Sequence, residues 1–187
     1  MHPRLLFVPL DDRPVCRDFV IELARSAGFD VRTPDRRLLG DRRRPGDVAG
    51  LWSWLETEGR AGGADALIAS AEMLCFGGLV ASRKSVAPFE ELAPLLDRLE
   101  RAGRRLPTYL SAVIPRTPWE PGDEDAAYWQ TRDQAARRRH RERHHLVNER
   151  LVASAASGAF RCLLVGQDDT APGSDGAAER ARLEARW

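Results

Sequence analysis

The 187-residue chain predicts an α/β fold in which parallel strands alternate with helices, either as the first five units of a partial (β/α) barrel or, alternatively, as an open doubly wound sheet. Three observations carry this. Five short apolar runs recur along the chain, each of a length that suits a buried strand. Stretches with helical spacing separate them, and alternating strands and helices pack as a parallel sheet covered by helices. The runs also end in polar, chemically capable residues, which burial alone does not require. A closed eight-stranded barrel needs roughly 250 residues, so only part of one fits this length.

The first run, Arg4 to Leu10, ends in Asp11-Asp12-Arg13-Pro14, and Phe19, Leu23 and Ala24 then repeat at helical spacing until Gly28. Phe29 to Thr33 is a short second strand, followed by the polar loop Pro34 to Pro45. Asp47 predicts the N-cap of a helix carrying Leu51, Trp52 and Leu55, because its side chain can accept from the first free backbone amides. Ala64 to Ala69 is the third run, ending Ser70-Ala71-Glu72-Met73-Leu74 before Gly77-Gly78. A helix with Leu92, Leu95, Leu96 and Leu99 on one face follows, closed by Gly103. Leu106 to Ile114 is the fourth strand and ends Pro115-Arg116-Thr117-Pro118. A long helical stretch runs from about Asp123 to Ser157, and Phe160 to Gln167 is the fifth strand. The last periodic segment, Ala177 to Trp187, carries no cap. The expectation is a single α/β domain, incomplete at its C-terminus, whose exposed sheet edge offers a route to self-association.

Composition narrows the function. An apolar content of 43% with 30% charged residues is that of a soluble globular chain. A net charge of +1 gives no global attraction to nucleic acid or to an anionic membrane, and neither is expected as a partner. The basic cluster from Arg137 to Arg143 lacks aromatic interleaving, and no apolar stretch nears the ~20 residues that span a bilayer. Cys16, Cys75 and Cys162 are widely spaced with no CxxC pair, which suggests neither a disulfide framework nor a structural zinc site. A cytoplasmic location is the default without a signal peptide. No cofactor motif is present: Gly77-Gly78 lacks the lysine of a P-loop and the spacing of GxGxxG.

In parallel α/β folds the loops leaving strand carboxyl ends build the active site, so Gln167-Asp168-Asp169-Thr170 reads as the strongest site signal. Asp168 and Asp169 are the candidate acid and base. Adjacent carboxylates cannot face each other across a scissile bond, but one can activate a neighbouring substrate group while the other donates a proton, as in substrate-assisted sugar hydrolysis. At the first strand end, alternation sends Asp11 and Asp12 to opposite faces, so one enters the site and the other caps the next helix or pairs with Arg13. Ser70 and Glu72 share a parity. Arg141, His145 and Asn148 lie at i, i+4 and i+7, a polar stripe on one helical face. A helix-entry turn at Asp11–Pro14, a tight turn at Gly77-Gly78 and a solvated helix face are the plain structural readings of these motifs. With Arg83 and Arg116, they form the candidate substrate-binding set: Asp11, Asp12, Arg13, Glu72, Arg83, Arg116, His145, Asn148 and Gln167.

In order and spacing, Val8-Pro9-Leu10-Asp11-Asp12-Arg13-Pro14, Ser70 to Leu79 with Ser82-Arg83, the Arg116 strand end, His145 with Asn148, and Gly166 to Pro172 resemble the bacterial family catalogued as domain of unknown function 4127. The resemblance implies a site more than a reaction, and implies that this chain matches an amino-terminal portion of longer proteins. Glu72 stands where that family favours aspartate and Phe76 where tyrosine is usual. The reading is a hydrolase acting on a carbohydrate-like small molecule, without cofactor. Two alternatives remain, a divalent-metal hydrolase using Asp11, Asp168, Asp169 and His145, and a non-catalytic binding module or inactive fragment.

Overall fold

The apolar runs form strands β1 (Arg4–Val8), β2 (Asp30–Arg32), β3 (Ala66–Ser70), β4 (Thr108–Ile114) and β5 (Cys162–Gln167). The computed structural model describes residues 2–115, 134–167 and 172–186. Every neighbouring pair of strands is parallel, and their order is β2-β1-β3-β4-β5. The α/β class and the parallel pairing are as the sequence predicts. Consecutive staves of a barrel would neighbour one another in chain order. Here β1 lies between β2 and β3, so the chain moves one way to β2 and the other way to β3, which is the reversal of an open doubly wound sheet.

Strand alternation sorts side chains onto two faces. On one, Leu6, Val8, Leu67, Ala69, Leu110 and Ala112 form the floor of the main core. Helices α2 (Val48–Ala61), α5 (Phe89–Arg105) and α6 (Gln134–Ala156) cover it. Their Leu51, Trp52, Leu96, Leu99 and Leu151 are buried almost completely, each such side chain contributing about 1.5–3 kcal/mol. On the other face, Ile21 of α1 (Asp18–Ser26) packs on Phe7 and Val31. Two short helices, α3 (Ala71–Phe76) and α4 (Leu79–Lys84), follow β3, and α7 (Asp175–Glu184) seats Leu183 against Ile114 and Val152. Caps set the helix starts. Asp47 accepts from the Gly50 amide at 2.9 Å, as predicted, Ser70 accepts from Met73 at 3.4 Å, and Ser174 accepts from Ala177 at 3.2 Å. None of the described helices is long and apolar enough to cross a membrane.

Two elements differ from the sequence reading. In α1 the packed residues are Val20, Ile21 and Ala24, while Phe19 and Leu23 are 62% and 61% exposed. The helix forms where its spacing puts it, but only its β1/β2 side meets the sheet. Leu164 of β5, 67% exposed, lies uncovered on that same sheet face. Gly103, in turn, lies inside α5 instead of ending it. A Cβ there would sit 2.3 Å from the Ala159 carbonyl, so the glycine admits the backbone leading into β5.

Gly77 is a position where both backbone conformation and packing require glycine. It ends α3 at φ +80°, its carbonyl accepts from the Gly46 amide at 2.8 Å, and a Cβ would lie 2.6 Å from that nitrogen. Left-handed strain of about 1–2 kcal/mol and overpacking of about 1–3 kcal/mol therefore add. Gly77→Ala is expected to lower unfolding free energy by about 2–5 kcal/mol in urea titration. Gly158→Ala, at φ +77° with nothing near the new Cβ, is expected to lose only the strain. Equal losses in the two variants would show that the Gly46 contact is immaterial.

Candidate functional site

Parallel pairing delivers the carboxyl ends of β1, β3, β4 and β5 to one edge of the sheet. In open sheets of this kind ligands enter the crevice where strand order reverses, which here is the gap between β1 and β3. The loop leaving β1 closes on the turn after α3: a Cβ on Gly78 would lie 3.6 Å from the Leu10 carbonyl.

That loop presents the first cluster. Asp11 accepts from Arg13 three times, from Nη2 at 2.7 Å, Nε at 3.0 Å and the amide at 3.1 Å. Burial works against the Asp11 carboxylate, but hydrogen bonds from Arg13 and Cys16 outweigh it and hold its pKa below the ordinary value. Asp11 is thus a fixed anion at neutral pH. It cannot serve as a proton donor, but it holds the half-exposed Arg13 guanidinium in one orientation. Asp12 is half-buried, and its carbonyl accepts from Arg36 at 2.8 Å. Burial and the neighbouring Asp11 push the Cys16 thiol up to about 11, so it stays protonated and is no nucleophile.

At the end of β3 the geometry turns inward. Glu72 is 1% exposed, and its two carboxyl oxygens accept from the Ser70 hydroxyl at 2.9 Å and the Val113 amide at 2.8 Å. Ser70 and Glu72 do meet, but strand parity does not place them: Ser70 ends β3, Glu72 lies in the first turn of α3, and the two are partners of each other. The Glu72 carboxyl therefore locks the end of β3 to the end of β4. His144 Nε2 stands 3.9 Å away, with its ring stacked on Phe76 at 5.4 Å between centroids.

The stripe on α6 is buried against β4 and α7. Arg141 donates to the Pro115 carbonyl at 3.1 Å and to Glu179 at 2.9 Å, and Asn148 donates to the Val113 carbonyl at 3.1 Å. His145 Nε2 lies 3.2 Å from Glu149. Burial and the charge of Arg182 lower the His145 pKa, against the pull of Glu149. Arg83 is buried in α4, and Gln167 at the tip of β5 accepts from Arg180 at 3.2 Å. Arg116, Asp168 and Asp169 lie outside the described residues; in sequence, Asp168 directly follows the last residue of β5. Among the described residues, no group of three or more His, Cys, Asp or Glu is placed to hold a metal ion.

The site thus has layers. Asp11, Asp12 and Arg13 stand at the rim, and Ser70, Glu72, Val113 and His144 form a buried tie beneath it. β1 and β5 are separated by three strand spacings, about 14 Å. Carboxyls that act across one glycosidic bond stand about 5–9.5 Å apart, so the β1 and β5 ends suit different parts of a ligand. Sequence reasoning missed His140 and His144. They precede Val147 and Leu151 at i, i+4, i+7 and i+11, the stripe that enters the core, and extending it toward the N-terminus would have found them. His140 is pushed down to about 2 by burial, with Arg143 adding to the shift, so it is neutral at any ordinary pH.

The model of the family described as "Protein of unknown function (DUF4127)" matches residues 5–139. No curated protein and no solved structure matches the chain.

Proposed function

The chain belongs to the DUF4127 family, and on that premise we propose that it is a hydrolase acting on a carbohydrate-like, hydroxyl-rich small molecule at the carboxyl edge of its sheet. The observation that supports this most is the parallel order, which brings the Asp11–Arg13 rim and the tip of β5 to one edge, with Asp168 and Asp169 next in the chain. Asp168 and Asp169 supply the acid–base chemistry. One carboxylate orients a nucleophilic group of the substrate itself, and the other gives its proton to the departing glycosidic oxygen as that bond breaks. Water then completes hydrolysis. Arg13, fixed by Asp11, donates to substrate oxygens about three strands away, while Glu72 and Asn148 hold β4 in place beneath the rim.

The test is a panel of chromogenic aryl glycosides that includes 2-acetamido sugars, assayed with and without chelator. Turnover of at least one member that survives chelation is the expected result. Activity abolished by chelation would point to a divalent-metal hydrolase. Saturable sugar binding without turnover across the panel would point to a binding module, and either outcome overturns the reading.

A further inference from the structure

A cavity of about 400 Å3 opens between α2 and α5, within the roughly 300–1,000 Å3 that small ligands occupy. It lies at the carboxyl ends of these helices and the amino end of β3, on the opposite edge of the sheet from the strand-end site. Its inner wall is apolar, with Leu6, Leu55 and Leu67. Its mouth is cationic. Arg98, Arg101, Ala102 and Arg105 fall at i, i+3, i+4 and i+7 along one face of α5, and Arg60 faces them from α2. Among the described residues, Glu56 is the only carboxylate in this lining; it lies 2.5 Å from Arg98 and 3.4 Å from Arg60. Four guanidinium groups against one carboxylate give the mouth of the cavity a net positive charge.

Helix dipoles explain part of this, since Arg60 and Arg105 stand in the last turns of their helices. Arg98 sits two turns before the end of α5, where Glu56 fixes it with its guanidinium 4.6 Å from the centroid of the Trp52 ring. That contact places a guanidinium group against an aromatic ring in the cavity lining. Gly59 also lines the cavity. It lies inside α2 without a positive φ, where glycine weakens a helix relative to alanine, and no atom stands within 4 Å of where its Cβ would be. Neither backbone conformation nor packing within the chain calls for it.

We propose that this cavity binds an organic phosphate with a flat apolar body, the phosphate held by the arginine rim and the body stacked on Arg98 against the apolar wall. Arginine forks match phosphate oxygens two at a time, and the guanidinium plane takes an aromatic face. The site is separate from the strand-end chemistry, so its failure would leave the hydrolase reading untouched.

Isothermal titration of the full chain with adenosine 5′-monophosphate tests it, with adenosine and inorganic phosphate as the two half-ligands. One saturable site is expected for the monophosphate, weakening as salt rises, with each half-ligand bound at least tenfold more weakly. Arg101→Gln combined with Arg105→Gln, both on the surface, is expected to weaken binding about tenfold or more without lowering the melting temperature. Gly59→Leu, which fills the wall, is expected to abolish binding in a protein that melts no lower than the parent. No saturable binding of the monophosphate, or binding unchanged in both variants, overturns the proposal.

Discussion

Replacing Asp168 or Asp169 with asparagine is expected to cut turnover of a chromogenic glycoside by about 10²–10⁴-fold, the range that a positioned acid or base contributes. Asparagine keeps the size and a carbonyl oxygen but can neither give nor take the proton. The two variants should differ in a way that assigns the roles. Where the lost group is the acid, a leaving phenol that departs easily as an anion needs no proton, so activity is retained on activated aryl glycosides and lost on alkyl ones. Where the lost group orients the substrate's own nucleophile, activity falls on both. Asp11→Asn should behave differently again. It releases Arg13 from its triple contact, so the expected change is a raised KM with a smaller change in kcat. Turnover unchanged in both β5-end variants would remove these carboxylates from the mechanism, and with them the proposed reaction.

The fold was legible because its signals are local. Leu5 to Val8, Leu67 to Ala69 and Leu110 to Ile114 read as strands from their apolar content alone, and Asp47 caps the helix it precedes. What a single sequence does not carry is the winding. Whether β1 neighbours β2 alone or lies between β2 and β3 depends on which sheet face each connection crosses, and no residue in those connections encodes it by type. The exposure of Phe19 and Leu23 follows from the same gap, since their spacing predicts a packed side without saying whether the sheet reaches under it.

The candidate site was legible only as a sheet edge. Polar residues at strand ends place Asp11–Arg13 at the carboxyl edge of the sheet because that position follows from strand direction. Glu72 is harder, because a carboxyl at a strand end has the same sequence signature whether it faces a ligand or a neighbouring strand. The deciding partner, the Val113 amide, is 41 residues away. Asn148 is alike: its amide is used by the Val113 carbonyl, so that one residue of β4 is held on both sides by polar side chains from other elements.

That double hold makes Glu72 a polar side chain whose removal should cost the fold heavily. Glu72→Ala takes away the acceptor for both the Val113 amide and the Ser70 hydroxyl, in a place that is 1% exposed. Each buried donor left unmade costs about 1–3 kcal/mol, and the vacated volume adds to that, so a loss of about 3–5 kcal/mol is expected. Against a total stability of about 5–15 kcal/mol for a domain, this is a large fraction, and it should appear as a lower urea midpoint. Glu72→Gln is the informative companion. Its amide oxygen can still accept one of the two donors while its NH2 group confronts the other, so a loss of about 1–3 kcal/mol is expected. The order alanine worse than glutamine, with both below the parent, is what the tie between β3 and β4 requires. If alanine were within 1 kcal/mol of the parent, the carboxyl would not be fastening the strand ends, and its burial would need a different cause.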